Sequence, residues 1–212
     1  MNVYDFDDTI FVPDSSCCFF LFCLRHYPRA VSRAIPPSLW QLLLYWKDGR
    51  QDAGRLKEAL FSYLNRIDSV DRVVAEFWEE NFCRVEDWYL QQKREDDLII
   101  SASPEFLLQP AADRLGVSLL ATRMNPNTGK IEGKNCHDEE KVRRFRACYS
   151  AAVIENFYSD SLADTPLALC AEKAHLVNNK VGTMVDWPDL DQETRDKVKA
   201  KINTGWNIHL KE

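Results

Sequence analysis

The chain has 212 residues, a net charge of −6 and a hydrophobic content of 45%, which together indicate one globular domain with room for a smaller insertion. This composition excludes a disordered or collagen-like chain, and the negative charge argues against a nucleic-acid partner, because phosphates would be repelled. Seven cysteines without a C-x-x-C pair are unlike a secreted disulfide framework and favour the reducing cytoplasm.

The first predicted element is a short buried strand over residues 3–6, which is followed by the polar loop Asp7-Asp8-Thr9. The strand begins directly after Met1, and no apolar stretch approaches the roughly 20 residues that span a bilayer. We therefore expect neither a signal peptide nor a membrane-spanning helix.

The next segment, residues 14–90, changes to an aromatic pattern with helical period. Helix starts are indicated at Asp14-Ser15-Ser16, at Pro36-Pro37-Ser38 and at Asp68-Ser69. We interpret this segment, called the cap below, as an all-helical insertion of about four helices. The predicted core then consists of residues 1–13 and 91–212.

Strand and helix signals alternate after the cap. A strand over residues 98–100 ends at Ser101, and Pro104 begins a helix that stops at Gly116. The later elements are a strand over 117–124, a hairpin through Asn125-Pro126-Asn127-Thr128-Gly129 to a strand over 130–132, a helix over 138–149, a strand over 152–158, a helix over 164–171 and a last sheet strand over 173–178. This alternation predicts an α/β fold with a doubly wound parallel sheet. The tail over 188–212 carries no chemical signal.

Polar side chains cluster at the ends of the predicted strands and on the helix after the hairpin. Since the carboxyl ends of parallel strands meet at one edge of a sheet, residues far apart in sequence converge there. Crowded carboxylates favour a hard divalent cation such as Mg²⁺, and a lysine and a serine beside it suit a phosphoryl group. The clusters are Asp5-x-Asp7-x-Thr9, Ser101, Lys141 and Asp160-x-x-x-Asp164.

These clusters resemble, in order, the four motifs of the haloacid-dehalogenase-like hydrolase superfamily. Within it, the chain is similar to the phosphoserine-phosphatase-like branch, whose helical cap lies between the first and second motifs. The four segments are Asp5-Phe6-Asp7-Asp8-Thr9, Ile99-Ile100-Ser101-Ala102-Ser103, Glu140-Lys141-Val142 and Tyr158-Ser159-Asp160-Ser161-Leu162-Ala163-Asp164.

The resemblance implies a two-step hydrolysis of phosphomonoesters. Asp5 is implied as the nucleophile that forms an aspartyl-phosphate, and Asp7 as the general acid and base. The acid at Asp7, two residues after the nucleophile, favours phosphatase or phosphotransferase chemistry over cleavage of carbon–halogen bonds. Ser101 and Lys141 are implied to hold phosphate oxygens.

The resemblance also implies a Mg²⁺ site. Its ligands would be the Asp5 carboxylate, the backbone carbonyl of Asp7 and Asp160, with Asp164 and Thr9 in the shell around them.

Several of these residues also fit purely structural roles. Ser101 could cap the following helix, and Asp164 could cap the helix that contains Pro166. Lys141 competes with Lys130 and Lys134 for the role of the phosphate-binding lysine, and we favour Lys141 because it stands at a helix start.

The cap offers two further clues to the substrate. Asp14 stands where phosphoserine phosphatases carry a glutamate that binds the substrate amine, although we favour it as the N-cap of the first cap helix. Residues 15–46 lack acids but contain Arg25, Arg29 and Arg33, a pattern that suits an anionic membrane surface. Together with residues 158–167, they are similar to the phosphatidylglycerophosphatase C group, which acts on a lipid phosphate.

Three functions therefore stay open. The first is a cytoplasmic Mg²⁺-dependent phosphatase of a small phosphomonoester, which we favour. The second is a peripheral membrane phosphatase of a lipid phosphate. The third is a non-catalytic binding module on the same fold, which we favour least because the complete acidic and cationic set is present.

Overall fold

The described residues form a six-stranded sheet at the centre of the protein. A computed structural model describes residues 1–32, 35, 53–179, 183–189, 192–193 and 196. The strands run in the order β3-β2-β1-β4-β5-β6, and β1 to β5 are parallel while β6 is antiparallel to β5. Their bounds are Asn2–Tyr4 (β1), Leu98–Pro104 (β2), Ser118–Thr122 (β3), Ile154–Ser159 (β4), Ala171–Asn178 (β5) and Thr183–Asp186 (β6).

The strand order confirms the predicted doubly wound α/β fold. The chain builds β2 and β3 on one side of β1 and then returns to build β4 and β5 on the other side. This reversal creates a switch point at the carboxyl end of β1, between β2 and β4, which is where open α/β sheets bind ligands. The strand predicted over 173–178 lies within β5, and the expectation that it is the last strand is wrong, because β6 follows it.

Helices make up much of the described part of the segment between β1 and β2. The described ones are Ser15–His26 (α1), Pro28–Val31 (α2), Ala53–Leu60 (α3), Val70–Asn81 (α4) and Asp87–Gln92 (α5). The Asp14 side chain accepts a hydrogen bond from the Cys17 N–H at 2.7 Å, so Asp14 is the N-cap of α1. The start predicted at Pro36-Pro37-Ser38 lies outside the described residues, and the division into core and cap stays a prediction.

The helices after β2 follow the sequence signals with shifted bounds. They are Glu105–Leu115 (α6), Glu139–Cys148 (α7) and Thr165–Ala168 (α8). Gly116 ends α6 in the left-handed conformation with φ of 70°, which favours glycine. The helix predicted over 164–171 is shorter because β5 already begins at Ala171.

An aromatic cluster joins the cap to the core. Trp78 of α4 packs edge-on against Phe6 and Phe11, which follow β1, with ring centroids 6.0 and 5.2 Å apart. Its indole N–H donates to the Leu107 carbonyl of α6 at 2.6 Å. Aromatic burial and a satisfied buried donor therefore hold α4 against the residues around the carboxyl end of β1. No helix in the described part of the chain is long and apolar enough to cross a membrane.

Candidate active site

A polar cleft lies at the carboxyl edge of the sheet, at the switch point beside β1. Its lining includes the residues that the sequence analysis assigned to catalysis, phosphate binding and metal binding, together with Asp14, while Thr9 lies just behind it. Among the described residues, six carboxyl groups and two lysines line the cleft: Asp5, Asp7, Asp8, Asp14, Asp160 and Asp164 with Lys57 and Lys141.

Lys141 is the centre of a buried ion cluster. Its Nζ lies 2.8 Å from Oδ1 of Asp5 and 2.7 Å from Oδ2 of Asp164, and the lysine is only 2% exposed. Ser159 donates a further hydrogen bond to Asp164 at 2.8 Å. A buried ammonium needs such partners, because an unpaired charge in the protein interior costs several kcal/mol. The cluster therefore joins α7 to the ends of β1 and β4.

The geometry also distinguishes Lys141 from its competitors. Lys134 is exposed, and Lys130 is 69% exposed and contacts Glu58 of the cap. Asp164 stands at the N-cap position of α8, as the alternative expects, but its side chain caps no backbone N–H and instead accepts from Lys141.

Asp7 lies between the cap and the core. Its Oδ1 accepts the backbone N–H of Ser15 at the start of α1 at 2.6 Å, and its Oδ2 accepts the Ser103 hydroxyl at 2.5 Å. A helix N-terminus favours a carboxylate at that position. Ser101 contacts the same Asp7 oxygen at 3.5 Å and accepts the Ser103 N–H at 3.0 Å. Ser101 does not cap α6, whose N-cap is Pro104.

Burial and like charges shift three carboxyl groups of the cleft, those of Asp5, Asp7 and Asp160, toward their neutral forms. Burial raises the pKa of Asp5 to about 7, with Lys141 opposing the shift and Asp164 and Asp7 adding to it. Burial and the neighbouring Asp8 raise the pKa of Asp160 to about 6. The pKa of Lys141 lies above its usual range, because Asp5 and Asp164 outweigh the effect of burial. In the part of the chain that the structure describes, the site thus carries more carboxyl groups than ammonium groups.

The donor set of the cleft fits Mg²⁺. In the described part of the chain, no three side chains from His, Cys, Asp and Glu form a ready metal cage, but the expected site uses only two carboxylates, Asp5 and Asp160, and the Asp7 carbonyl. Such all-oxygen sites with few protein ligands are typical of Mg²⁺. Thr9 holds Asp160 by accepting its N–H at 3.0 Å and donating to Oδ1 at 3.4 Å.

Sequence reasoning missed Lys57, which extends from the cap helix α3 into the cleft. Its Nζ donates to the carbonyl of Ala102, between Ser101 and Ser103. Burial lowers the pKa of Lys57, while Asp7 and Asp14 oppose that shift. A single lysine in an amphipathic helix carries no local signal that separates it from a solvated one. Asp14 both caps α1 and lines the cleft, so its two predicted roles are compatible.

Comparisons with known proteins identify relatives of this chain. The family model of the haloacid dehalogenase-like hydrolases matches residues 3–169. Protein CicA of Caulobacter vibrioides is 30% identical over 190 residues, which cover 82% of this chain and 84% of that protein.

Solved structures share the fold. A protein with unknown function from Bordetella pertussis Tohama I superposes with a TM-score of 0.71 at 20% identity, over 95% of both chains. A HAD family hydrolase from Salmonella enterica serovar Typhi superposes with a TM-score of 0.54 at 12% identity, over 80% of this chain and 59% of that one.

Replacing Lys141 by Met tests the ion cluster. The variant leaves Asp5 and Asp164 buried without their cation, so we expect a loss of about 3–5 kcal/mol in the free energy of unfolding near neutral pH. A carboxyl group whose pKa is higher in the folded than in the unfolded protein destabilises the fold as the pH rises. Urea unfolding should therefore show a larger loss at about pH 8 than at about pH 5.5.

Lys173→Met is the matched control, because Lys173 is exposed on β5 and surface changes cost at most about 0.5 kcal/mol. A loss in Lys141→Met that is no greater than in the control, or that does not grow with pH, would contradict the ion cluster.

Proposed function

Because the chain belongs to the haloacid dehalogenase-like hydrolases, as its motifs predict, we propose that it is a Mg²⁺-dependent phosphatase that acts through an aspartyl-phosphate at Asp5. The observation that carries this proposal is the position of Asp5 at the carboxyl end of β1, paired with buried Lys141 and in one cleft with Asp7 and Ser101. The arrangement offers a nucleophile, an acid and phosphate-binding groups together.

Asp5 is the proposed nucleophile. Lys141 opposes the effect of burial on the Asp5 carboxyl group, which increases the ionised fraction that can attack phosphorus. The new bond joins an Asp5 oxygen to phosphorus, and the bond from phosphorus to the ester oxygen breaks. In the second step a water oxygen attacks the same phosphorus, phosphate is released and the Asp5 carboxylate is restored.

Asp7 is the proposed general acid and base. Burial raises its pKa above the ordinary value of a carboxyl group, which increases the protonated fraction available for the leaving ester oxygen. After that transfer, Asp7 is ionised and can take a proton from the attacking water. The hydrogen bonds from Ser15 and Ser103 fix the orientation of the Asp7 carboxyl group. The group is thus positioned both to give a proton to the ester oxygen and to take one from water.

Ser101 and Lys141 are the proposed binding groups for the phosphoryl oxygens, since a hydroxyl and an ammonium donate hydrogen bonds to them. Asp5, the Asp7 carbonyl and Asp160 would hold Mg²⁺, which supplies charge neutralisation for the phosphoryl group. Asp164 positions Lys141, since its Oδ2 lies 2.7 Å from the Lys141 ammonium. Thr9 acts through Asp160 in the same way.

The substrate class that we favour is a small phosphomonoester in the cytoplasm. The lipid-phosphate alternative stays a prediction. Arg25 and Arg29 of its basic segment are exposed, whereas Arg33 and residues 36–46 lie outside the described residues. Membership in a hydrolase family favours both enzymatic alternatives over the non-catalytic module.

Asp5→Asn should abolish hydrolysis, because the amide keeps the shape of the side chain but is not a nucleophile. Phosphate release should be measured on a panel of soluble phosphomonoesters and on vesicles that contain a lipid phosphate. On whichever substrate the wild type hydrolyses, we expect kcat to fall by about a thousandfold or more. Asp113→Asn on the exposed face of α6 is the control and should keep full activity. A variant that folds and retains more than about a tenth of the turnover would refute this mechanism.

Activity should also require Mg²⁺. We expect EDTA to remove the activity and added Mg²⁺ to restore it. Asp160→Ala removes a proposed ligand, so the Mg²⁺ concentration for half-maximal rate should rise by about tenfold or more. Ser101→Ala should raise KM for the phosphomonoester and leave the Mg²⁺ requirement unchanged. Activity that persists after thorough chelation, or equal Mg²⁺ dependence in both variants, would exclude the proposed site.

A further inference from the structure

A core hairpin contacts the cap at a distance from the catalytic groups. The hairpin spans residues 123–132 between β3 and α7 and is closed by hydrogen bonds from Asn125 N–H to Lys130 O and from Glu132 N–H to Arg123 O, both 2.8 Å. The predicted strand over 130–132 is only an isolated bridge between Ile131 and Met124. This arm of the hairpin contacts α3, where Glu58 accepts the Ile131 N–H at 2.9 Å and the Lys130 ammonium at 3.3 Å. The hairpin is thus hydrogen-bonded to a cap helix.

Gly129 brings the two segments into closer contact than any side chain would allow. Its φ is +68°, and a Cβ at this position would lie 2.3 Å from the carbonyl oxygen of Phe61, which directly follows α3. Phe61 has little freedom to withdraw, because its fully buried ring packs edge-on against Phe106 of α6 at 6.0 Å. An alanine at position 129 therefore forces the hairpin and α3 apart.

The same helix carries Lys57 into the cleft. Lys57 precedes Glu58, and neighbouring residues on a helix point about 100° apart, so one turn of α3 contacts the hairpin and the cleft at once. Lys57 reaches the carbonyl of Ala102, next to Ser101. A small rotation or shift of α3 would withdraw the ammonium from the phosphate-binding groups.

We propose that this hairpin is a clasp that keeps Lys57 in the cleft, and that Gly129 and Glu58 are positioning residues for substrate binding. Lys57 then supplies a second ammonium, from the cap side, to an anionic oxygen of the bound phosphomonoester. The substrate part of the proposal rests on the proposed function, whereas the clasp itself concerns the position of Lys57 alone. The clasp acts by preorganising a binding group, so its loss weakens binding more than it slows the chemical step.

The position of Lys57 is tested without any activity. The probe is an amine-acetylating reagent, and labelling of Lys57 is measured by peptide mapping relative to exposed Lys173. We expect Gly129→Ala to increase the relative labelling of Lys57 by about fivefold or more, since exposure governs access of the reagent. Gly116→Ala is the matched control: its φ is +70°, yet a Cβ there meets nothing within 4 Å. Unchanged labelling in a folded Gly129→Ala protein would overturn the clasp.

Glu58 provides a second route if Gly129→Ala does not fold. Glu58→Ala removes the acceptor of the Ile131 N–H and should also expose Lys57, whereas Glu58→Gln keeps an acceptor oxygen and should restore protection. Equal labelling of Lys57 in wild type and Glu58→Ala would count against the clasp as well.

Kinetics then test whether the clasp acts through Lys57. Gly129→Ala and Lys57→Met should each raise KM about tenfold with kcat within about threefold. The double variant should have the same KM as Lys57→Met, because the effects of two changes that act through the same side chain are not additive. Additive effects on KM would show that the hairpin acts elsewhere and would overturn the positioning role. A wild type that hydrolyses no phosphomonoester refutes the proposed function, while the labelling result still decides the clasp.

Discussion

The pairing of Lys141 with Asp5 and Asp164 is the interaction on which the rest of the structure depends. An ammonium that is 2% exposed is stable only beside carboxyl groups, and a buried carboxylate in turn requires a cation nearby. Lys141 lies on α7, Asp5 directly follows β1, and Asp164 lies in the turn between β4 and α8, so the ion cluster joins the two halves of the sheet at their switch point. The same charges form the proposed reaction centre, which couples the stability of the fold to its chemistry.

Most of the fold and the centre of the site could be predicted because their signals are local. Short apolar runs reveal the central strands, and the polar residue after each run, such as Asp5 or Asp160, is placed by the parallel order at one edge. Strand β6 was missed because its four residues, Thr183–Asp186, contain only two apolar ones, Met184 and Val185, a run too short to mark a strand. The sequence distinguishes Lys141 from Lys130 because Lys141 stands at a helix start. The structure adds the physical difference, since Lys141 is buried and Lys130 is exposed.

Apart from Asp14, the cap side of the site could not be predicted, since its contacts join residues far apart in sequence. Lys57 reaches a carbonyl 45 positions away, and Glu58 accepts an N–H from a residue 73 positions away. Neither residue differs locally from a solvated charge on an amphipathic helix. Gly129 reads as an ordinary turn glycine in the sequence, and only the folded chain shows that the Phe61 carbonyl also excludes a side chain there.

Acid quenching of the enzyme during turnover tests the central claim most directly. The quenched protein is digested and its peptides are weighed by mass spectrometry, with Asp5→Asn as the parallel sample. The mechanism predicts a phosphoryl group on the peptide that contains Asp5, present only with substrate and absent from the variant. A phosphoryl group on another residue, or active wild-type enzyme that never carries one under quench conditions that preserve a reference acyl phosphate, would contradict the account.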